Sequence, residues 1–143
     1  MKIGFIGLGN LGTPIASNLI ERGHTPLLYN RSINKATALS KKGGNVAHSM
    51  ADLAECDVVF SILSDDAALD VVCGGTEGLV AHMKSGGTHV SMSTILPATA
   101  ERIAALHKKK GQHYLSAPVF GRPEAAIGRK LNFVISGPAS LRA

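Results

Sequence analysis

Three glycines, Gly7-x-Gly9-x-x-Gly12, follow directly on the apolar run "KIGFI" (2–6) and open a stretch patterned as a helix. A chain with 16 glycines produces look-alikes of this spacing by chance. The strand before it and the helix after it, within one βαβ unit, make it specific. Gly7 permits a tight turn, Gly9 lets a ligand's pyrophosphate approach the backbone, and Gly12 lets helix and strand pack closely. Leu8, Asn10 and Leu11 complete the loop. The N–H groups at Asn10 and Leu11 would face phosphate oxygens, aided by the helix dipole. The chemistry implied is the grip of a dinucleotide.

The second cluster lies at the end of the run "PLLY", where Asn30, Arg31 and Ser32 follow in sequence. An NAD-binding unit usually places Asp or Glu here, to hold the ribose 2′-hydroxyl. A carboxylate would repel a 2′-phosphate, whereas an arginine pairs with it through charge-assisted hydrogen bonds. Asn30 and Ser32 add neutral donors, and Lys35 lies one helical turn beyond Arg31. The pattern points to NADP(H) rather than NAD(H). The plainer alternative makes Arg31 a surface cation and Ser32 only a helix cap. The third cluster is Ser93-Thr94, two adjacent hydroxyls after the strand "THVSM". Open α/β sheets bind ligands at that end of their strands, although Thr94 could instead cap the helix that starts at Pro97.

Stepping outward from these clusters, short apolar runs alternate with helical patterns. The expected strands are 2–6, "PLLY", a weak "NVAH", "DVVFSIL" (57–63), "THVSM" (88–92), "QHYLSAP" and "LNFVISG" (131–137). Helices are expected over residues 11–23, over 33–42 with Ser32 as cap, from about Asp65, over "PATAERIAALHKKKG", and briefly around 123–129. Ser49 reads as a further cap. Strands alternating with helices imply βαβ units, a mostly parallel sheet and right-handed crossovers. The fold expected is α/β, a doubly wound Rossmann domain over residues 1–143.

The bulk properties suit a globular domain. Formal net charge is +5, from 15 Lys plus Arg against 10 Asp plus Glu. The sharpest basic run, Lys108-Lys109-Lys110, falls in a helix's last turn, where cations suit the dipole. Aromatic residues make up 4%, too few for base-stacking platforms, so no nucleic-acid partner is expected. No apolar run reaches membrane length, and the start lacks a secretory pattern. Cys56 and Cys73 form neither a disulfide framework nor a metal cluster, and a cytoplasmic setting is expected. The six histidines show no metal-ligand spacing, so no metal is expected. His24 and His107 are assigned to helix C-termini, where the dipole favours a cation.

Taken together, "GFIGLGNLGTPIASNLIERGH", "YNRS", "VVFSILSDDAA", "SMSTILP" and "SAPVFGRPEAAIGRKLNFVISG" occur in the order found in the β-hydroxyacid dehydrogenase family. The chain resembles that family, which includes 3-hydroxyisobutyrate dehydrogenases and 6-phosphogluconate dehydrogenases, with imine reductases as relatives. The resemblance covers nearly all 143 residues. It implies that Leu63 and Ser64 pass over the adenosine and ribose side of the cofactor, with Ala68 nearby. It implies that Thr94 touches the nicotinamide half, and that Ser93 and Thr94 meet the substrate's carboxylate or hydroxyl. Gly121 and Arg122 fall in the family's substrate loop.

The chain departs from the family pattern in two places. The family's "SGG" is Phe120-Gly121-Arg122 here, and Ser116 stands where an acid often precedes "APV". Arg122 could bind a substrate carboxylate or phosphate, or point to solvent; Glu124 reads as a first-turn helix carboxylate. The family's catalytic lysine and its companion asparagine lie on a helical domain beyond the Rossmann unit, and no lysine of this chain falls in that motif. The expectation is therefore an amino-terminal portion, with that domain absent and no catalytic residue of its own. The implied enzyme is an NADP-dependent oxidoreductase acting on CH–OH groups of a small acid, and a homo-oligomer is conceivable. An imine reductase and a non-catalytic dinucleotide-binding module are the alternatives.

Overall fold

The computed structural model describes residues 1–142. Six strands form one sheet: β1 (Ile3–Ile6), β2 (Leu27–Tyr29), β3 (Asn45–Val46), β4 (Val58–Ser61), β5 (Thr88–Ser91) and β6 (His113–Ser116). Their order is β3-β2-β1-β4-β5-β6, and every pair is parallel. This is the doubly wound order, whose direction of winding reverses between β1 and β4. All four residues of β1 are buried, as expected of a central parallel strand.

Side-chain alternation along the strands fills both faces. Phe5 and Leu28 pack with Ala16, Ala36, Leu39 and Met92 on one face. Ile6 and Val59 pack with Met50, Leu53, Leu79 and Met83 on the other. The first face is covered by α1 (Gly12–Glu21) and α2 (Ile33–Ser40). The second carries a 3-10 turn (Met50–Leu53), α3 (Asp66–Cys73), α4 (Leu79–His82) and α5 (Pro97–Lys109).

Helix ends follow local chemistry. Gly23, with φ 91°, takes up the left-handed turn after α1, and Gly43 at φ 134° does so beyond α2. Asp65 caps α3 by accepting from Ala68 N–H at 2.8 Å. Before the 3-10 turn, the Asp52 carboxylate accepts from the His48 and Ser49 N–H groups. Ser32 stands at the N-cap of α2 in extended conformation, but its side chain makes no capping bond. The residue that caps α5 is Leu96, with Pro97 at the first helical position, so Thr94 is free of that duty.

The expected seventh strand differs. Only Asn132–Phe133 (β8) is extended, and it pairs antiparallel with Val119–Phe120 (β7) in a separate two-stranded ribbon. A parallel return to β6 needs a crossover helix long enough to span the sheet. The intervening α6 (Pro123–Ile127) has five residues and packs instead on α1, where Asn18 Nδ2 donates to the Ala126 carbonyl at 2.8 Å. Among the described residues, the chain then meets β6 through one antiparallel bridge between Ser116 and Ser136, and α7 (Ala139–Arg142) follows. No described helix is long and apolar enough to cross a membrane.

Candidate functional site

The Gly-rich loop links β1 to α1 at the point where the sheet reverses its winding. Gly7 has φ 95°, and its N–H donates to the Tyr29 carbonyl at 3.0 Å. The Asn30 side chain bridges the two chain segments. Its Oδ1 accepts from Leu8 N–H at 2.8 Å, and its Nδ2 donates to the Ser32 carbonyl at 2.9 Å. Thr13 Oγ1 donates back to the Leu8 carbonyl at 2.9 Å. Asn30 therefore spends its amide on holding the loop and the end of β2 in register.

The N–H groups of Gly9, Asn10 and Leu11 meet no protein acceptor among the described residues. The first turn of α1 has neither a side-chain cap nor an acidic residue. Its positive dipole end is thus uncompensated and faces the loop, which suits an anion. Gly9 and Asn10 are exposed, and a Cβ placed on Gly9 would meet nothing within 4 Å. That open space is the cradle a pyrophosphate requires.

On the other side of Gly7 lies a cavity of about 420 Å³, walled by the ends of β1, β2 and β4 and by one face of α3. Six of the sequence-expected residues line or flank it: Gly7, Asn30, Arg31, Leu63, Ser64 and Ala68. Arg31 is exposed and forms no ion pair among the described residues. Tyr29, Ala67, Val71 and Val72 also line the cavity and escaped the sequence reading. Val71 is 80% exposed, unusual for valine in a helix and appropriate to a wall that a flat apolar ring could cover. Its spacing from Ala67 and Ala68 was the available signal. Lys35 lines a second cavity of about 490 Å³ instead, with Leu8, Gly9, Asn10 and Lys42. The two cavities meet at the glycine loop.

Ser93 and Thr94 follow β5 but play different parts. Ser93 is buried, and its Oγ accepts from Leu63 N–H at 2.9 Å, locking the β4 and β5 loops together. Thr94 is exposed. Gly121 (φ 145°) and Arg122, at the N-cap of α6, are exposed beyond β7.

Behind the cavity, α3 is tied to α5. The Asp66 carboxylate accepts from Leu96 N–H at 3.0 Å and from Thr99 Oγ1 at 2.5 Å, and Arg102 donates twice to Asp70. The Thr99 bond, and then the Leu96 bond, hold the Asp66 carboxyl below the ordinary carboxylate range. A carboxyl lowered on folding stabilises the fold fully above its ordinary pKa of about 4, and that contribution fades as pH falls through the folded value. Asp66→Asn is expected to shallow the acid side of a plot of urea midpoint against pH. An unaltered plot would remove Asp66 from the acid response.

One histidine expectation changes. His107 is fully buried rather than a charged helix end, and burial pushes its pKa down. The cause is register: Ile103 and His107 share the inward face of α5, whereas Lys108 and Lys109 stay outside. His89, in the middle of β5, is also fully buried, and desolvation followed by the neighbouring His107 pushes it further down. With Cys73 they bring three metal-capable atoms within 4.8 Å of one another. Sequence spacing concealed this because α3, β5 and α5 contribute one residue each.

The family model for the NAD-binding domain of 6-phosphogluconate dehydrogenase matches residues 2–142. The chain belongs to this family. Within it, the chain is 41% identical over 143 residues to the uncharacterized oxidoreductase YfjR of Bacillus subtilis, covering 99% of this chain and 50% of that protein. Among solved structures, it resembles the 3-hydroxyisobutyrate dehydrogenase of Mycobacterium tuberculosis with L-serine. The TM-score is 0.90 at 29% identity, covering 99% of this chain and 48% of that one. It also resembles Psf3 in complex with NADP+ and 2-OPP, with TM-score 0.93, 31% identity, and 97% and 50% coverage. The chain spans about half the length of these relatives. The family membership makes it an NAD(P)-binding Rossmann domain of the 3-hydroxyisobutyrate dehydrogenase-like oxidoreductases.

Proposed function

We propose that this chain is the NADP(H)-holding part of an oxidoreductase that exchanges hydride between NADP(H) and a small hydroxyacid or carbonyl acid. The observation that carries the choice of dinucleotide is Arg31, an exposed cation at the rim of the cavity, at the end of β2 where a ribose-binding carboxylate would otherwise stand. The bound dinucleotide supplies the hydride. The chain's own residues bind and orient. Free amides at Gly9, Asn10 and Leu11 receive the pyrophosphate, and Leu63, Ser64, Ala68 and Val71 flank the adenosine. Arg31 and Ser32 receive the 2′-phosphate, with Lys35 adding charge from the adjoining cavity.

Thr94, exposed beyond the carboxyl end of β5, contacts the nicotinamide half and the substrate acid, while Ser93, expected from the sequence to share that contact, is buried and positions the loop instead; Gly121 and Arg122, exposed beyond β7, add a second substrate contact. The buried Ser93 sets the height of that loop through Leu63. Carbonyl reduction also needs a proton donor beside the carbonyl oxygen. In this reading a lysine outside these residues provides it, so the 143-residue chain alone binds the dinucleotide without turnover. The oxidoreductase works in the cytoplasm, as a homo-oligomer, on a small molecule and not on nucleic acid.

Calorimetric titration with NADPH and NADH, separately, tests the choice of cofactor. A charge-assisted hydrogen bond contributes about 1.5–3 kcal/mol, equivalent to a preference for NADPH of about 10- to 140-fold. Arg31→Asp is expected to abolish that preference while leaving NADH binding nearly as before. Equal affinities in the unaltered protein would overturn the NADP(H) assignment.

A further inference from the structure

We propose that Cys73, His89 and His107 form a buried binding site for a divalent cation of the zinc class. The three donors come from α3, β5 and α5, and all three residues are essentially inaccessible to solvent. His89 Nδ1 lies 2.9 Å from His107 Nε2 and 3.9 Å from Cys73 Sγ. Zinc–nitrogen bonds of about 2.05 Å and zinc–sulfur bonds of about 2.3 Å require tetrahedral edges of about 3.35 Å and 3.55 Å. The two His89 edges thus lie within about half an ångström of a zinc tetrahedron's, and the third, from Cys73 to His107, is no longer than 4.8 Å.

The surroundings fix which ring atoms face inward. Gln112 Nε2 donates to the carbonyls of Val80 and Met83, so its Oε1 is turned toward His107 and accepts from Nδ1 at 2.8 Å. His107 Nε2 therefore presents a lone pair to the cluster. His89 Nε2 lies 2.8 Å from Ser61 Oγ on its outer side. An acceptor behind each imidazole is the support that metal-bound histidines usually have. The neighbouring Tyr114 ring, whose hydroxyl is buried beside that of Ser91, packs on both imidazoles with its centre 5.4 Å and 5.7 Å away. A water molecule would complete the fourth position.

Binding is balanced by one proton. In the metal-free protein His107 carries its proton on Nδ1, and His89 donates from Nδ1 to His107 Nε2. When the cation enters, the His89 proton moves to Nε2 and is donated to Ser61 Oγ. Cys73 releases its thiol proton to solvent. Burial raises the free thiol's pKa to about 12, and coordination to a divalent cation removes that proton outright. Because the donors are inaccessible, the cation loads as the chain folds. It would clamp α3, the wall of the dinucleotide cavity, to β5 and α5.

The test uses the whole chain, refolded from denaturant with cobalt(II) and dialysed. The expected result is one tightly held cobalt per chain, a near-ultraviolet thiolate-to-cobalt charge-transfer band, displacement by zinc, and uptake of one proton for each metal removed. Cys73→Ser is expected to lose the band. Cys56→Ser is expected to keep it, since Cys56 packs in a different cluster with Leu53 and Val59. Absence of stoichiometric cobalt in the refolded wild-type chain would overturn the site, whatever the variants do. So would a band that survives Cys73→Ser and vanishes in Cys56→Ser.

Discussion

Gly9→Ala is expected to weaken dinucleotide binding by about 100-fold or more, equivalent to about 2.7 kcal/mol, with the fold intact. In the free protein the position a Cβ would take at Gly9 is empty to 4 Å, and its backbone lies outside the left-handed region, so the methyl meets no protein atom. Alanine also narrows the unfolded ensemble, so stability is expected to hold or rise by up to about 1 kcal/mol. The methyl instead occupies the space where phosphate oxygens would reach the N–H groups of Asn10 and Leu11. Paired thermal melts and titrations of NADPH and NADH check this. Undiminished affinity for both dinucleotides would mean that the pyrophosphate does not sit there.

Gly12→Ala has the opposite profile. A Cβ at Gly12 would lie 1.9 Å from the Gly7 carbonyl oxygen and 2.9 Å from Ile62 Cγ2. The first is backbone in a tight turn and cannot swing aside as a flexible side chain does. Forced overpacking of this kind costs about 3 kcal/mol or more, or about 10 °C in Tm for a domain of this size. Binding should fall too, because α1 must move away from the loop it orients. Chemical denaturation is the measurement. A loss below about 0.5 kcal/mol, the range of an ordinary surface substitution, would show that the close approach of α1 to β1 is not needed. The two glycines thus separate the loop's roles: Gly9 serves the ligand and Gly12 serves the packing.

Much of this architecture was legible from the chain alone. Short apolar runs between helical patterns located six strands of the sheet, and Gly23 and Gly43 marked helix ends as their φ values require. The strand 131–137 was misjudged because its apolar pattern says nothing about pairing direction. Direction was decided by the brevity of α6 and its anchorage to α1 through Asn18. Asn30 was read as a ligand donor from residue type, and only the geometry showed both ends of its amide engaged with backbone. His107 was placed at a helix terminus correctly along the chain, but its azimuth on α5 buries it.

The sequence by itself determined the glycine loop, the alternation that makes a parallel doubly wound sheet, and the cation at the end of β2, because these are local: a turn, a period and a neighbour. Tertiary structure decided what depends on distance through space. It divided Arg31 and Lys35 between adjoining cavities, joined Ser93 to Leu63 across 30 residues, and set Cys73 beside His89 and His107. Such meetings arise from how helices pack across a sheet, and a linear pattern holds no record of which faces come to oppose one another.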